Sequence, residues 1–499
     1  MAQQIYLSQV IGEDYKKWNK GDVILLRSPT GTGKTTLCTV LAADAHRTGD
    51  KILYVTSRLA KLDEFKDETK SYRGVFLYTT YQKLEQDISY MNAKVLNEYL
   101  NCKYAFFDEC HYFTDDIAIP DSNASLSEEW IRTKIKSPIK IYASATAARY
   151  FKFIREHINI PDEHVYDIDK DYSYLTDCFV YKRGDVINIL NKILGDEPAA
   201  KILFFVNNTR RMEELFAAFG YEQADYLCSS NTSDTYLRKI CNITNTQFAA
   251  FKFTKRILFA TKTIDIGINI KDKDLKYIFC EMQDPATIAQ CLGRKRPIDE
   301  TDTCAFYICD QDAKTLSLHN TKVSKFIKDY DAYCCCKDGF IREHKYDRNL
   351  NKGGSVFILT PGSGEIQIDY ARVRKYKFDI KFYEYVKEHG FIAALKLFLD
   401  ESIAARIQPY VSEKDAVIAF LRDHEGVRFY KDNKDVITNY FATIIKGKHS
   451  YGINVINDWL DNNIGDDYVK RFISKKDRAR INASGDKNEY YNSNYWILS

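Results

Sequence analysis

Residues 28–35 read SPTGTGKT, and residues 104–111 read YAFFDECH. Holding a chain of phosphates at a strand-to-helix turn takes inward-pointing backbone N–H groups, an ammonium for the outer phosphates and a hydroxyl for a divalent cation. The first string supplies all of these. Gly31 and Gly33 let the backbone curl, Lys34 is the phosphate cation, Thr35 is the Mg²⁺ ligand, and Ser28, Thr30, Thr32 and Thr36 complete the cradle. Ser28 stands where the pattern GxxxxGK[ST] has glycine, a small residue for a small residue. In the second string an apolar run ends in adjacent carboxylates, which places Asp108 behind the metal and Glu109 beside an attacking water. A phosphate leaving under this arrangement needs one more cation, usually an arginine from a neighbouring lobe. The segment ATIAQCLGRKRP, residues 286–297, offers Arg294 and Arg296. The implied cofactors are ATP and Mg²⁺.

The elements that must position these groups are legible as runs. DVILLRS, KILYVTS, GVFLYTT, YAFFDEC and IKIYASAT are short and rich in β-branched and aromatic residues. Helix-like stretches at 34–47, 59–69 and 81–100 separate the earlier ones. Such alternation requires crossover connections and so a parallel sheet covered on both faces. A second series starts near residue 175 with DCFVYKR, KILFFVN, ADYLCSS, RILFATK, LKYIFCEM and CAFYICD, with a helical stretch at 209–219. The fold class is α/β, with two tandem lobes at 1–170 and 171–314. Residues 315–499 read as a mainly helical accessory domain, with helices at 380–400 and 413–422 and a hairpin from SVFILT to EIQIDY.

Lys+Arg at 72 against Asp+Glu at 69 leaves a net charge of +3, so any grip on phosphates must come from local patches. The opening MAQQIYLSQV has no basic flank or apolar run of a signal peptide, and nothing reaches the roughly 18 apolar residues of a membrane span. A cytoplasmic protein that binds no membrane is the expectation. The cysteines fall mostly in strand-like runs and form no CxxC pair, which reads as reduced core residues rather than a zinc site.

Taken in order, SPTGTGKT, VTSR, YTTYQ, DECH and SAT resemble the superfamily 2 helicases of the DEAD/DEAH-box type over roughly residues 5–310. DECH is a spelling of their Walker B box. The resemblance implies RecA-like P-loop lobes and ATP hydrolysis that drives movement along or unwinding of nucleic acid. It implies further that Thr56, Ser57, Arg58, Thr79 and Thr80 touch the nucleic-acid backbone. Ser144 and Thr146 of SAT would link nucleotide state to strand separation, with His111 bridging the Walker B box to SAT or to the second lobe. Gln9 and Tyr15, or Trp18, lie where this superfamily often recognises adenine, although Trp18 packing against the lobe is at least as good a reading.

In the second lobe, residues 286–297 are similar to helicase motif VI, which assigns Gln290, Gly293, Arg294 and Arg296 to the shared active site. Cys291 replaces the usual first arginine and Arg296 sits one position early, so either arginine fits the finger. RILFATKTIDIGINI is similar to motif V, with Thr261 facing the backbone, Gly267 allowing close approach, and Asn269 where an aspartate often binds ribose or the finger. KILFFVNNTRRMEEL is similar to motif IV, with Asn207 and Asn208 at the strand end; helix capping fits Asn208 equally well. The short QxxGRxR form, similar to that of viral and phage helicases, favours DNA over RNA and a bacterial, phage or mobile-element setting. An RNA helicase, and an ATP-dependent clamp or remodeller that does not unwind, stand as alternatives. Arg372, Arg374, Lys375 and Lys377, with Tyr376 and Phe378 between them, and Lys475, Lys476, Arg478 and Arg480 form basic clusters that could make a path for single strands, with solvated surface the better reading.

Overall fold

The computed structural model describes the chain except residues 1–5, 30, 115–122, 170, 229–251, 262–269, 345–349, 351–353, 360–364, 446–449 and 483. The first lobe is built on Val23–Arg27 (β1), Ile52–Thr56 (β2), Phe76–Thr80 (β3), Tyr104–Asp108 (β4), Ile139–Ser144 (β5) and Val165–Asp167 (β6). They pair in the order β3-β2-β4-β5-β1-β6, parallel throughout. Successive side chains of a strand face opposite ways. Ile24 and Leu26 therefore enter one apolar cluster with Leu37, Leu41 and Phe106, while Val23 and Leu25 enter another with Phe107, Ile131 and Tyr150. Helices cover both faces, which is why the strand sequences read as unbroken apolar runs. Because the strands are parallel, the turns beginning at Ser28, Ser57, Tyr81, Glu109 and Ala145 all leave the same sheet edge, where ligands bind in such folds.

The second lobe uses Leu175–Tyr181 (β7), Lys201–Phe205 (β8), Ala224–Leu227 (β9), Ile257–Ala260 (β10), Leu275–Cys280 (β11) and Cys304–Cys309 (β12). Two tandem α/β lobes of RecA-like layout are thus present. The expected strands form in both, and the stretch 81–100 divides into helices Tyr81–Ser89 and Ala93–Leu100 around Met91, whose φ is 50°.

The boundary at 314/315 does not coincide with a break in packing. Residues 315–409 share a compact unit with the lobes, and the second unit is Tyr410–Ser499. Phe357–Leu359 (β13) and Ile366–Ile368 (β14) form the antiparallel hairpin, and Ile407–Pro409 (β15) extends the second lobe's sheet beyond β7, giving β15-β7-β12-β11-β8-β10-β9. The reason is apolar coverage: Phe382, Val386, Phe391, Leu395, Ile403 and Ile407 lie in one cluster with Leu203, Ile278 and Phe306 of that lobe. The expected helix at 380–400 is the end of a longer one, Tyr370–His389, interrupted at Gly390 (φ 84°) and followed by Phe391–Phe398. Asp369 caps its start by accepting from Arg372 N at 3.1 Å. Ala371 sits in the first lobe's core and Phe382 in the second's, so this helix runs from one lobe to the other.

Glu85, 6% exposed, braces the segment after β4. Tyr112 Oη donates to it at 3.0 Å, Ser127 Oγ at 3.1 Å and Asn123 N at 3.1 Å. Burial raises its carboxyl from 4.5 to about 7, only partly offset by those three bonds. The folded state therefore holds a proton there that the unfolded chain releases, so this group's contribution to stability is greatest below pH 4.5 and declines as pH rises to about 7. Glu85→Gln is expected to flatten that part of the profile of melting temperature against pH. An unchanged slope in the variant would refute the assignment.

Candidate active site

The phosphate loop is braced from within. Gly31 and Gly33 take φ of 88° and 93°, conformations that side chains strain to adopt, and Gly33 leads into the helix Lys34–Thr48. Ser28 does not merely tolerate the glycine position: its hydroxyl bonds to Thr32 Oγ1, which donates to Pro29 O at 2.7 Å. Thr32 thus contributes its side chain to the loop rather than to a ligand. Lys34 Nζ donates to Ser28 O at 2.9 Å; Thr35 is half-buried and Thr36 exposed. Thr30 lies outside the described residues.

β4 delivers Asp108, 2% exposed, with Tyr54 Oη donating to its Oδ2 at 2.7 Å. Its other oxygen, Oδ1, is buried with no hydrogen-bond partner. An orphaned carboxylate oxygen facing a phosphate loop suits a hydrated divalent cation, so Asp108 and Thr35 fit a Mg²⁺ brought in with a nucleotide. Burial and the neighbouring charge of Glu109 raise the Asp108 pKa. The same burial opposes charge on Glu109. The bond to His111 and the fields of Lys34, His111 and Lys61 outweigh it and hold that carboxyl well below its usual range. Glu109 occupies the left-handed region at φ 51°, a strained conformation for a side-chain-bearing residue and one characteristic of functional sites.

His111 joins the two lobes. Gln290 Nε2 lies 3.0 Å from His111 Nε2, and His111 Nδ1 lies 2.8 Å from Ser144 Oγ and 3.3 Å from Glu109 Oε2. Gln290 also donates to Thr146 Oγ1 at 3.4 Å, and Thr146 N donates to Ser144 Oγ at 3.1 Å. Gln290 projects from the helix Pro285–Leu292, started by Pro285 and capped by Asp284, which accepts from Thr287 N at 3.1 Å. Asp284 further meets Arg149 at 3.6 Å and Lys375 at 3.3 Å.

Between the lobes lies a cavity of about 360 Å³ lined by Ser57, Arg58, Lys61, Glu109, His111, Thr146, Arg149, Gln290 and Arg294, among others. Arg294 opens on it. Lys295 turns inward to Asp302, 2.6 Å away, and Arg296 is half-buried, and burial lowers its pKa.

Other expected residues stand elsewhere. Thr56 is fully buried and Thr79 is 2% exposed, so neither hydroxyl is presented to a ligand. Thr80 caps a helix, accepting from Lys83 N at 3.1 Å, and Asn208 does the same for Arg211 N at 2.9 Å. Asn207 is exposed at the strand end, and Thr261 N donates to Leu227 O at 3.0 Å. Gln9 is exposed and accepts from Tyr6 N at 2.9 Å; half-buried Tyr15 packs on the first lobe's core. Trp18 packs beside Tyr166 with ring centroids 6.2 Å apart, the packing reading rather than base stacking. Gly267 and Asn269 lie outside the described residues. Lys61 and Arg149 also line the cavity. Helical spacing from Arg58 puts Lys61 on the same face three residues on, and Arg149 follows SAT within one turn, so both signals were present in the sequence.

Residues 2–149 match the family described as Type III restriction enzyme, res subunit, and residues 185–296 match the Helicase conserved C-terminal domain. The chain belongs to the superfamily 2 helicases. No curated protein matches it. Similar solved structures include Saccharomyces cerevisiae Dbp5 bound to RNA and ADP BeF3, at 14% identity and a TM-score of 0.40, covering 64% of this chain and 90% of that one. The NS3-like helicase from Alongshan virus, at 15% identity and a TM-score of 0.39, covers 58% and 73%. As a superfamily 2 helicase the protein is an ATP-hydrolysing enzyme that acts on nucleic acid. Among its described residues no helix is long and apolar enough to cross a membrane.

Proposed function

We propose that this helicase hydrolyses ATP with Mg²⁺ in the interlobe cleft and uses the cycle to move along or unwind DNA. The bond network from Glu109 through His111 to Gln290 carries the reading, because it joins the residue beside the attacking water to the second lobe through one imidazole. Lys34, Thr35 and Asp108 would hold the metal–nucleotide, which supplies the phosphate to be transferred to water. Glu109 orients that water, and Arg294 faces the phosphate from the opposite lobe. DNA is favoured by the match of residues 2–149 to a restriction-enzyme family and by the short QxxGRxR form.

The test is ATP turnover with no polymer, single-stranded DNA, duplex DNA and RNA, with Glu109→Gln as the inactive control. Stimulation by DNA above RNA is the expected result. Turnover indifferent to every polymer would remove the motor reading, and stimulation by RNA alone would reassign the substrate. Gln290→Ala should keep ATP binding and lose polymer stimulation by a factor of about 5 to 150, the range of a coupling energy of about 1–3 kcal/mol. Stimulation that survives the substitution intact would show that the lobes communicate by another route.

A further inference from the structure

The unit Tyr410–Ser499 has a core of its own. Helices Glu413–Asp423, Asp435–Ile444 and Ile453–Asn463 precede an antiparallel hairpin, Phe472–Lys476 (β16) with Asn494–Leu498 (β17). Leu421, Phe441, Leu460, Phe472 and Leu498 pack together at its centre. Between the first two helices Phe429 makes an antiparallel bridge to Trp496, adding a third line to the hairpin. Helix, bridge, helix, helix and hairpin in this order make a winged helix-turn-helix topology, with residues 477–493 as the wing.

The described residues of the wing form a ribbon. Asp477 accepts from Tyr430 Oη at 2.7 Å, from Ala479 N at 2.9 Å and from Asn488 Nδ2 at 3.1 Å, and is thereby locked at its base. Asn488 N donates to Arg480 O at 2.9 Å and Ile481 bridges Lys487, which carries the ribbon outward to a turn at Gly485, φ 88°. Lys475, Lys476, Arg478, Arg480 and Lys487 are all exposed, and among the described residues none is ion-paired to a carboxylate. Asp477 is turned into the base of the wing; Asp486 and Glu489 are exposed, so the five cations outnumber the outward carboxylates of the wing.

The second and third helices do not offer such a surface. The exposed positions of Ile453–Asn463 are Asn454, Asp458, Asp461, Asn462 and Asn463, a face that phosphates repel at two places, although the equivalent helix usually enters the major groove in helix-turn-helix proteins. Most aromatic faces near the wing are engaged internally, and the exposed Tyr491 has Arg480 over its ring at 5.8 Å. Tyr490 stacks on Tyr430 with centroids 3.9 Å apart, Tyr495 is buried, and Lys434 covers Trp496 at 4.7 Å. What remains outward is a two-stranded ribbon edged with cations, a shape that a duplex groove admits and whose charges suit its phosphates.

We propose that the wing, through Lys475, Lys476, Arg478, Arg480 and Lys487, is a binding site for the sugar–phosphate backbone of double-stranded nucleic acid, separate from the track across the lobes. The full-length protein, without nucleotide, is titrated with a fluorescent DNA duplex, the corresponding RNA duplex and a single strand. R478E/R480E should weaken duplex binding tenfold or more near ~0.1 M salt and reduce the slope of log affinity against log salt by about 2. K475A/K476A, which adds no opposing charge, should act in the same direction and more weakly. Arg422→Glu, a charge reversal on the first helix, should change neither quantity.

The duplex that shows the loss identifies the source of the phosphates. Unchanged duplex affinity in both wing variants, or an equal loss for the single strand, would overturn the proposal. All the altered side chains are exposed, and a melting curve matching wild type shows that the unit still folds. Polymer-stimulated ATP turnover of the unaltered protein reports separately on the motor, so failure at the wing and failure of the motor reading are distinguishable.

Discussion

Glu109→Gln is expected to reduce ATP turnover by about 10²–10⁴-fold, the usual contribution of a positioned base, while nucleotide binding persists. The amide keeps the size of the carboxylate and can still bond within the cluster around His111, so the change removes basicity and charge more than shape. Because its neighbours hold the Glu109 carboxyl well below the ordinary range of 4.5, the acidic limb of wild-type turnover should not report on its titration. Single-turnover hydrolysis combined with fluorescent-nucleotide binding separates the two effects. A variant that binds and hydrolyses normally would remove Glu109 from the chemistry.

Arg294→Ala should be of similar or greater consequence, a fall of about 10³-fold or more in turnover, as for arginines that meet the charge developing on a transferred phosphoryl group. Arg296→Ala should cost less. The sequence offered both arginines to one role, and their surroundings separate them. Arg294 lines the cleft with Glu109 and Gln290, whereas Arg296 lies outside that lining and burial lowers its pKa. Polymer-stimulated turnover of the two variants, measured side by side with thermal unfolding, distinguishes catalysis from packing. A greater fall with Arg296→Ala, at equal stability, would reverse the assignment.

Both predictions concern residues that were visible as strings, and the strings were informative for a physical reason. A phosphate loop must be glycine-bearing, must follow a strand and must open a helix, so its signature is confined to a few consecutive positions. The same holds for carboxylates at the end of an apolar strand. Buried parallel strands announce themselves as unbroken apolar runs, and the strands of both lobes could be read for that reason. Polar side chains near strand ends carried less information. Thr80 and Asn208 have the composition of ligand contacts and of helix caps alike, and only the donors at 3.1 and 2.9 Å show the caps.

The boundary near residue 315 illustrates the other limit. A change from strand-like to helix-like sequence marks a change in local pattern. It does not reveal that Phe382, Phe391 and Ile407 are the apolar cover of a sheet that began at residue 175. Such coverage is a contact across long sequence separation, and no local period encodes it. By itself, then, the sequence determined the parallel α/β lobes, the phosphate loop, the paired carboxylates and the supply of arginines, because each is specified by neighbouring residues. The tertiary structure alone decided that Gln290 is the residue through which His111 meets the second lobe, which arginine faces the cleft, and that the last ninety or so residues form a separate unit with a cationic wing. Each of those depends on which side chains meet when distant segments pack, and on which charges are left without a partner once they have.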